Sequence, residues 1–264
     1  MDKNKSIGVF DSGVGGLSVL KNLVDVLPNE DYIYFGDTAR VPYGEKSKEQ
    51  IIEFVSEILN WYKSNHAKAV IMACNTSSAV VSDVIKNEYD FPIFGLIRPT
   101  AKYISGLKAE RIGVIATSAT VRSKAFTRMI LELDSSKKIF EIACPNLVEI
   151  VEAGKADSEE AKILVNNYLV HLLENKAEKI VLGCTHYPFL SNVINQITNK
   201  PEMLIDPAKC LAKKIITELE RLNLINKIGK GSRKYFVSAN PSKFVEVGKN
   251  FYADCREAEE INLQ

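Results

Sequence analysis

Ala69-Val70-Ile71-Met72-Ala73-Cys74-Asn75-Thr76-Ser77-Ser78-Ala79 is an apolar run that stops at a cysteine and continues in small hydroxyl and amide residues. An apolar run of this length reads as a buried parallel strand, and ligands of open α/β sheets gather at the carboxyl ends of such strands. Cys74 falls at that end, with Asn75 and Thr76 supplying hydrogen-bonding groups beside it. Lys179-Ile180-Val181-Leu182-Gly183-Cys184-Thr185-His186 repeats the design. Further upstream, Ile112-Gly113-Val114-Ile115 echoes Ile7-Gly8-Val9-Phe10, and Thr117-Ser118 falls where Asp11-Ser12 does. The spacing from Gly8 to Cys74 nearly equals that from Gly113 to Cys184, so the pattern predicts two homologous α/β halves.

The bulk numbers fit that frame. The chain has 264 residues, 46% of them hydrophobic, enough for one large α/β domain or two smaller ones. With 34 basic and 33 acidic residues spread along it, no basic stripe forms, so a nucleic-acid partner is not expected. No uninterrupted apolar run is long enough to span a membrane, and Met1 to Ser6 leads straight into a strand-like segment. A cytoplasmic protein is expected. The five cysteines are odd in number and far apart, with no Cys-x-x-Cys, which argues for free thiols over a disulfide framework or zinc ribbon. Three histidines leave little material for a metal site, and none is expected.

Taken in order, Ser6–Phe10 reads as a strand running into Asp11-Ser12-Gly13-Val14-Gly15-Gly16 and then a helix from Leu17 to Leu23. A glycine-rich βα turn lets a ligand approach backbone N–H groups, or serves only as a tight turn. The spacing is not the dinucleotide fingerprint, and no Walker lysine follows. A strand over Tyr32–Asp37 leads to a loop carrying Arg40 and Pro42-Tyr43-Gly44, and a helix over Glu49–Lys63 follows. After the Cys74 strand, a helix is expected through Ser82 to Asn87, then a fourth strand over Phe91–Ile97 closed by Arg98-Pro99. In the second half the pattern gives helices over Ser123–Leu133, Ser158–Asn175 and Phe189–Ile197, with strands over Ile139–Ala143 and Met203–Asp206. A helix over Ala208–Leu222, a basic loop, a strand over Tyr235–Ser238 and a helix near Ser242–Phe251 end in an acidic tail expected to fray. This C-terminal segment is expected to pack on the first half.

Two thiols facing one carbon from opposite sides suit a two-base proton exchange at a stereocentre. One, as thiolate, removes a proton; the other, as thiol, delivers one to the opposite face. The carbanion needs its carboxylate held by donors such as Asn75, Thr76, Ser12 and Thr185. Neither a metal nor a pyridoxal lysine is called for, so no cofactor is expected. A two-lobed anion-binding protein with incidental thiols, or a thiol redox sensor, uses the same residues differently. Cys144, Cys210 and Cys255 read as packing residues, His66 and His171 as surface or packing residues.

Asp11-Ser12-Gly13-Val14-Gly15-Gly16, Pro42-Tyr43-Gly44, Ala73-Cys74-Asn75-Thr76 and Gly183-Cys184-Thr185-His186 together resemble the glutamate racemase family, in order and spacing, over Ile7 to about Ala208. The resemblance implies two pseudosymmetric parallel-sheet α/β domains, 1–97 with 208–264 and 98–207, and an active site in the cleft between them. It implies cofactor-free interconversion of L- and D-glutamate, supplying D-glutamate for peptidoglycan, with a related racemase of aspartate or another acidic amino acid as the alternative. By the same resemblance Cys74 and Cys184 are the catalytic pair, Asp11 and His186 assist them, and Glu152 helps on the Cys184 side. Asp11, Ser12, Pro42, Tyr43, Gly44, Asn75, Thr76, Thr185 and His186 match substrate-contacting positions. A homodimer is implied as well. Where relatives often carry Glu-Pro, this chain has Arg98-Pro99.

Overall fold

The computed structural model describes residues 2–82, 84–85 and 88–263. The first half runs β1 (Ile7–Asp11), α1 (Leu17–Val26), β2 (Tyr32–Gly36), α2 (Lys48–Ser64), β3 (Ala69–Met72), α3 (Asn75–Val81) and β4 (Ile93–Gly95). The second runs α4 (Ile97–Ser105), β5 (Arg111–Ala116), α5 (Ser118–Ser123), α6 (Ala125–Leu133), β6 (Lys138–Ala143), α7 (Leu147–Glu152), α8 (Glu159–Glu174), β7 (Lys179–Gly183), α9 (Ser191–Thr198) and β8 (Leu204–Ile205). The chain closes with α10 (Pro207–Arg221), β9 (Arg233–Val237), α11 (Pro241–Gly248) and β10 (Glu259–Glu260).

Two sheets form, in the orders β10-β9-β2-β1-β3-β4 and β6-β5-β7-β8, with every pairing parallel. Strip β10 and β9 from the first sheet and the two orders coincide: β1 corresponds to β5, β2 to β6, β3 to β7 and β4 to β8. The register agrees too. Phe10 pairs with Met72 two residues before Cys74, and Ile115 pairs with Leu182 two residues before Cys184. Each central strand also carries a glycine under a helix: a Cβ on Gly8 would meet the Tyr62 ring of α2 at 2.6 Å, and one on Gly113 would meet Leu172 of α8 at 2.8 Å. The repeat seen in the sequence is therefore a repeat of packing. Helix α10 lies against both α1 and α4 and so touches both halves.

Several local expectations change. The helix expected through Ser82 to Asn87 lies before that stretch: α3 starts at Asn75, because Cys74 is its N-cap and its sulfur accepts from Ser77 N at 3.4 Å, and ends at Val81, with Ser82, Val84 and Ile85 in turn and bend; Asp83, Lys86 and Asn87 lie outside the described residues. The fourth strand is shorter than expected, and Arg98-Pro99 does not close it but sits in the first turn of α4, where a missing proline N–H costs no intrahelical bond. The helix expected over Ser123–Leu133 breaks at Lys124, which adopts φ 54° and caps both α5 and α6. The helix expected from Phe189 opens as a 3-10 turn over Tyr187–Leu190 before α9. The acidic tail does not simply fray: Glu259 and Glu260 pair in parallel with Phe236 and Val237. The C-terminal segment does return to the first sheet, through β9 beside β2.

The two buried glycines separate rigid from yielding neighbours. Tyr62 is pinned by its hydroxyl, which donates to Val9 O at 2.8 Å, whereas Leu172 can turn about its side-chain bonds. Gly8→Ala is expected to cost about 2–3 kcal/mol of stability and Gly113→Ala about 1 kcal/mol. Urea unfolding of the two variants checks the order; equal losses would contradict it.

Candidate active site

The carboxyl ends of β1, β3, β5 and β7 converge on one cleft. It is lined by Asp11 and Ser12 after β1, by Val41, Pro42, Tyr43 and Gly44 after β2, and by Cys74, Asn75 and Thr76 after β3. Thr117 after β5, Val148 of α7, and Cys184, Thr185 and His186 after β7 complete the lining from the second half. Thus Cys74 and Cys184, far apart in sequence, share one cavity. It is nearly closed, about 20 Å³, room for about one water molecule.

The glycine turn after β1 makes close approach possible. A Cβ on Gly15 would run into Thr185 Oγ1 and lie 2.6 Å from the His186 ring, and one on Gly16 would strike the Asp11 side chain. The turn therefore serves contact between the halves at the site. Asp11 Oδ2 accepts from Gly13 N at 3.2 Å and Gly16 N at 3.0 Å, while Oδ1 is buried without a hydrogen-bond partner among the described residues. Burial raises the Asp11 pKa, opposed by the His186 charge and the two backbone bonds.

On the β7 side a relay forms. Cys184 Sγ lies 3.7 Å from His186 Nδ1, and His186 Nε2 lies 3.1 Å from Glu152 Oε1. Burial works against the imidazolium, but the bonds to Cys184 and Glu152 and the charge of Asp11 outweigh it and raise the pKa to about 10. His186 is 2% exposed and the Glu152 side chain 30%, so the relay runs from the cleft towards solvent. Glu152 does not line the cleft itself; it reaches it at one remove, through its bond to His186. Cys74 has a different setting. Burial first, then the neighbouring Asp11 carboxylate, pushes its thiol up to about 12 despite the Ser77 bonds.

The two halves meet through hydroxyls. Thr76 Oγ1 lies 2.9 Å from Thr117 Oγ1, which lies 3.0 Å from Thr120 Oγ1, and Thr120 returns to Thr76 at 3.2 Å. Gly44 abuts this group: a Cβ there would be 2.8 Å from Thr117 Cβ.

A model described as Asp/Glu/Hydantoin racemase matches residues 7–215. The chain belongs to that racemase family. A glutamate racemase of Trichormus variabilis is 42% identical over 245 residues, 93% of this chain and 84% of that protein. The structure is similar to that of glutamate racemase from Francisella tularensis in complex with D-glutamate, at 34% identity and TM-score 0.93 over 99% of this chain and 98% of that one. It is similar also to a glutamate racemase isoform from Bacillus anthracis, at 31% identity and TM-score 0.95 over 99% of each chain.

All the racemase positions singled out from sequence reach the cleft except Glu152, which stands behind His186. Thr117, Val41 and Val148 were not singled out as site residues. The first carried a signal, being the counterpart of the Asp11-Ser12 strand end; the valines carry none, because only packing brings an apolar side chain to a cleft wall. Cys144 and Cys255 are buried away from the cleft, and Cys210 is half-buried. Arg98 is exposed and does not line the cleft; it borders a separate cavity of about 670 Å³ with Lys102, Tyr103 and Lys213.

The Glu152 bond is one cause of the raised His186 value. In Glu152→Gln the imidazolium loses a charged partner, so the His186 titration midpoint is expected below about 10. NMR titration of the ring checks this, and an unmoved midpoint would contradict it.

Proposed function

We propose that this racemase interconverts L- and D-glutamate by a two-base route in which Cys74 and Cys184 carry the protons, with no cofactor. The observation that carries the proposal is equivalence: the two cysteines follow matching strands of a duplicated unit and line the same cleft. The relatives bearing the name glutamate racemase, and the D-glutamate complex of a similar structure, support glutamate over other acidic amino acids.

The chemistry follows from the settings of the two sulfurs. With a pKa of about 12, Cys74 is a protonated thiol near neutral pH and so a proton donor. Cys184 has His186 Nδ1 3.7 Å from its sulfur, within reach of a proton passing between ring and thiol. In one direction the Cys184 sulfur forms a bond to the α-proton while the C–H electron pair stays on carbon. The Cys74 S–H bond then breaks and its proton joins the opposite face. Each sulfur leaves in the other's protonation state, so the reverse reaction starts from the exchanged pair. Asp11 lies beside Cys74 and is the group assisting it; His186, backed by Glu152, assists Cys184. Ser12, Tyr43, Gly44, Asn75, Thr76 and Thr185 bind the substrate's carboxylates and amine, and Pro42 shapes the wall before Tyr43. The buried Asn75 Oδ1, which has no partner among the described residues, is a free acceptor for the amine.

The units 1–97 with 208–264 and 98–207 would part to admit substrate, since the closed cleft holds only about one water. The product D-glutamate would serve peptidoglycan synthesis in the cytoplasm, and a homodimer is the expected assembly.

The test is α-proton exchange of L- and D-glutamate in deuterated water, read by NMR and polarimetry without added cofactor. Wild type should racemise both enantiomers, and Cys74→Ser and Cys184→Ser should each lose at least about 10³-fold in turnover. No exchange by wild type with glutamate or any other acidic amino acid would overturn the proposal. A second expectation concerns pH. The imidazolium is present below about 10 and lost above it, so kcat/KM should fall as pH rises through that value. A profile still rising at pH 11 would contradict the assignment of His186.

A further inference from the structure

The wall formed by Tyr43 and Gly44 is held by a carboxylate that lies outside the cleft. Asp37, at the end of β2, is fully buried, and its backbone N–H donates to Asp11 O at 3.0 Å. Its side chain receives three donors. The Tyr43 hydroxyl and Arg40 Nε (2.6 Å) both reach Oδ2, and Ser238 Oγ donates to Oδ1 at 2.8 Å. A buried carboxylate is tolerable only when charge and lone pairs are matched in this way. Arg40 supplies the matching charge. It also pairs with Glu57 of α2 and lies over the Phe54 ring, 4.2 Å from its centroid. Phe54 in turn packs against the Tyr43 ring at 5.6 Å. Tyr43 is thus gripped at its hydroxyl by Asp37 and at its ring by Phe54. Burial and the Asp37 charge both raise the Tyr43 pKa well above the usual phenol value, so the hydroxyl stays a neutral donor.

We infer that Asp37 is a positioning residue for the racemase reaction: through the Tyr43 hydroxyl it fixes the Tyr43–Gly44 wall at the distance from Thr117 that the bound dicarboxylate requires. Arg40 and Ser238 hold Asp37 itself in place. Ser238 lies just past β9, and its hydroxyl also accepts from Ala39 N at 2.9 Å, so the C-terminal segment reaches the cleft through this carboxylate. That gives the returning strand a function beyond closing a sheet edge. The inference rests on the racemase reading and deepens it.

The experiment is steady-state kinetics with L- and D-glutamate for wild type, Asp37→Asn, Tyr43→Phe, the double variant and Ser238→Ala, with the melting temperature of each. Asp37→Asn keeps the shape and removes the charge; Tyr43→Phe removes only the hydroxyl. Each is expected to raise KM about tenfold while changing kcat less than about threefold, because a displaced wall weakens substrate and transition state alike. Since Asp37 acts through the Tyr43 hydroxyl, the double variant should be no worse than the worse single one. A lowered melting temperature with wild-type KM in Asp37→Asn, or losses that multiply in the double variant, would overturn the inference. Should Asp37→Asn not fold, Tyr43→Phe and Ser238→Ala decide: raised KM in both supports it, wild-type KM in both overturns it. Absence of turnover by wild type would overturn the racemase reading and this anchor with it, whereas wild-type turnover with unmoved KM in the variants would overturn the anchor alone.

Discussion

His186 is 2% exposed and keeps its proton up to about pH 10, so a positive charge has to be balanced inside the protein. An unpaired buried charge costs several kcal/mol or discharges. Here the balance comes first from the Cys184 sulfur beside the ring and then from two carboxylates on different elements. Glu152 arrives on α7 and bonds the ring directly; Asp11 arrives at the end of β1 and acts through space. One carboxylate belongs to each half, so the charge at the site also favours the halves lying together. The Gly13-Val14-Gly15-Gly16 turn is the steric condition for that closeness, because a side chain at Gly15 would occupy the space of Thr185 and His186.

The same arrangement makes the two thiols unequal. Symmetry of the backbone puts Cys74 and Cys184 at equivalent strand ends, yet one faces a carboxylate and the other an imidazolium. The two-base exchange proposed above, which needs one proton donor and one acceptor, would be served by that inequality. The duplicated scaffold provides the geometry, and unlike neighbours provide the difference in setting. The relay from Cys184 through His186 to the part-exposed Glu152 further gives one sulfur a hydrogen-bonded path towards solvent.

Around the cleft, the wall residues depend on side-chain contacts, some within the β2 loop and some remote in sequence. Tyr43 is set by Asp37, Asp37 by Arg40 and Ser238, and Gly44 by Thr117. None of these links lies on one face of a helix or strand. They arise because the β2 loop is squeezed between the C-terminal turn on one side and α5 on the other.

The sequence by itself determined the parallel strands, the duplication and the strand-end residues. Apolar runs such as Ala69–Met72 and Ile180–Leu182 have no polar alternation, and their carboxyl ends are the places where an open sheet exposes side chains to a ligand. Local capping chemistry was less legible: Cys74 reads as the end of a strand, but its sulfur also starts α3, and a single residue serving both is invisible to periodicity. Tertiary structure alone decided that Glu152 reaches the site through His186, that Val41 and Val148 complete the wall, and that Asp37 is buried under Tyr43. Those placements come from packing within each half and, for Val41 and Val148, between the halves, where distance and burial, rather than residue type or spacing, fix what a side chain can do.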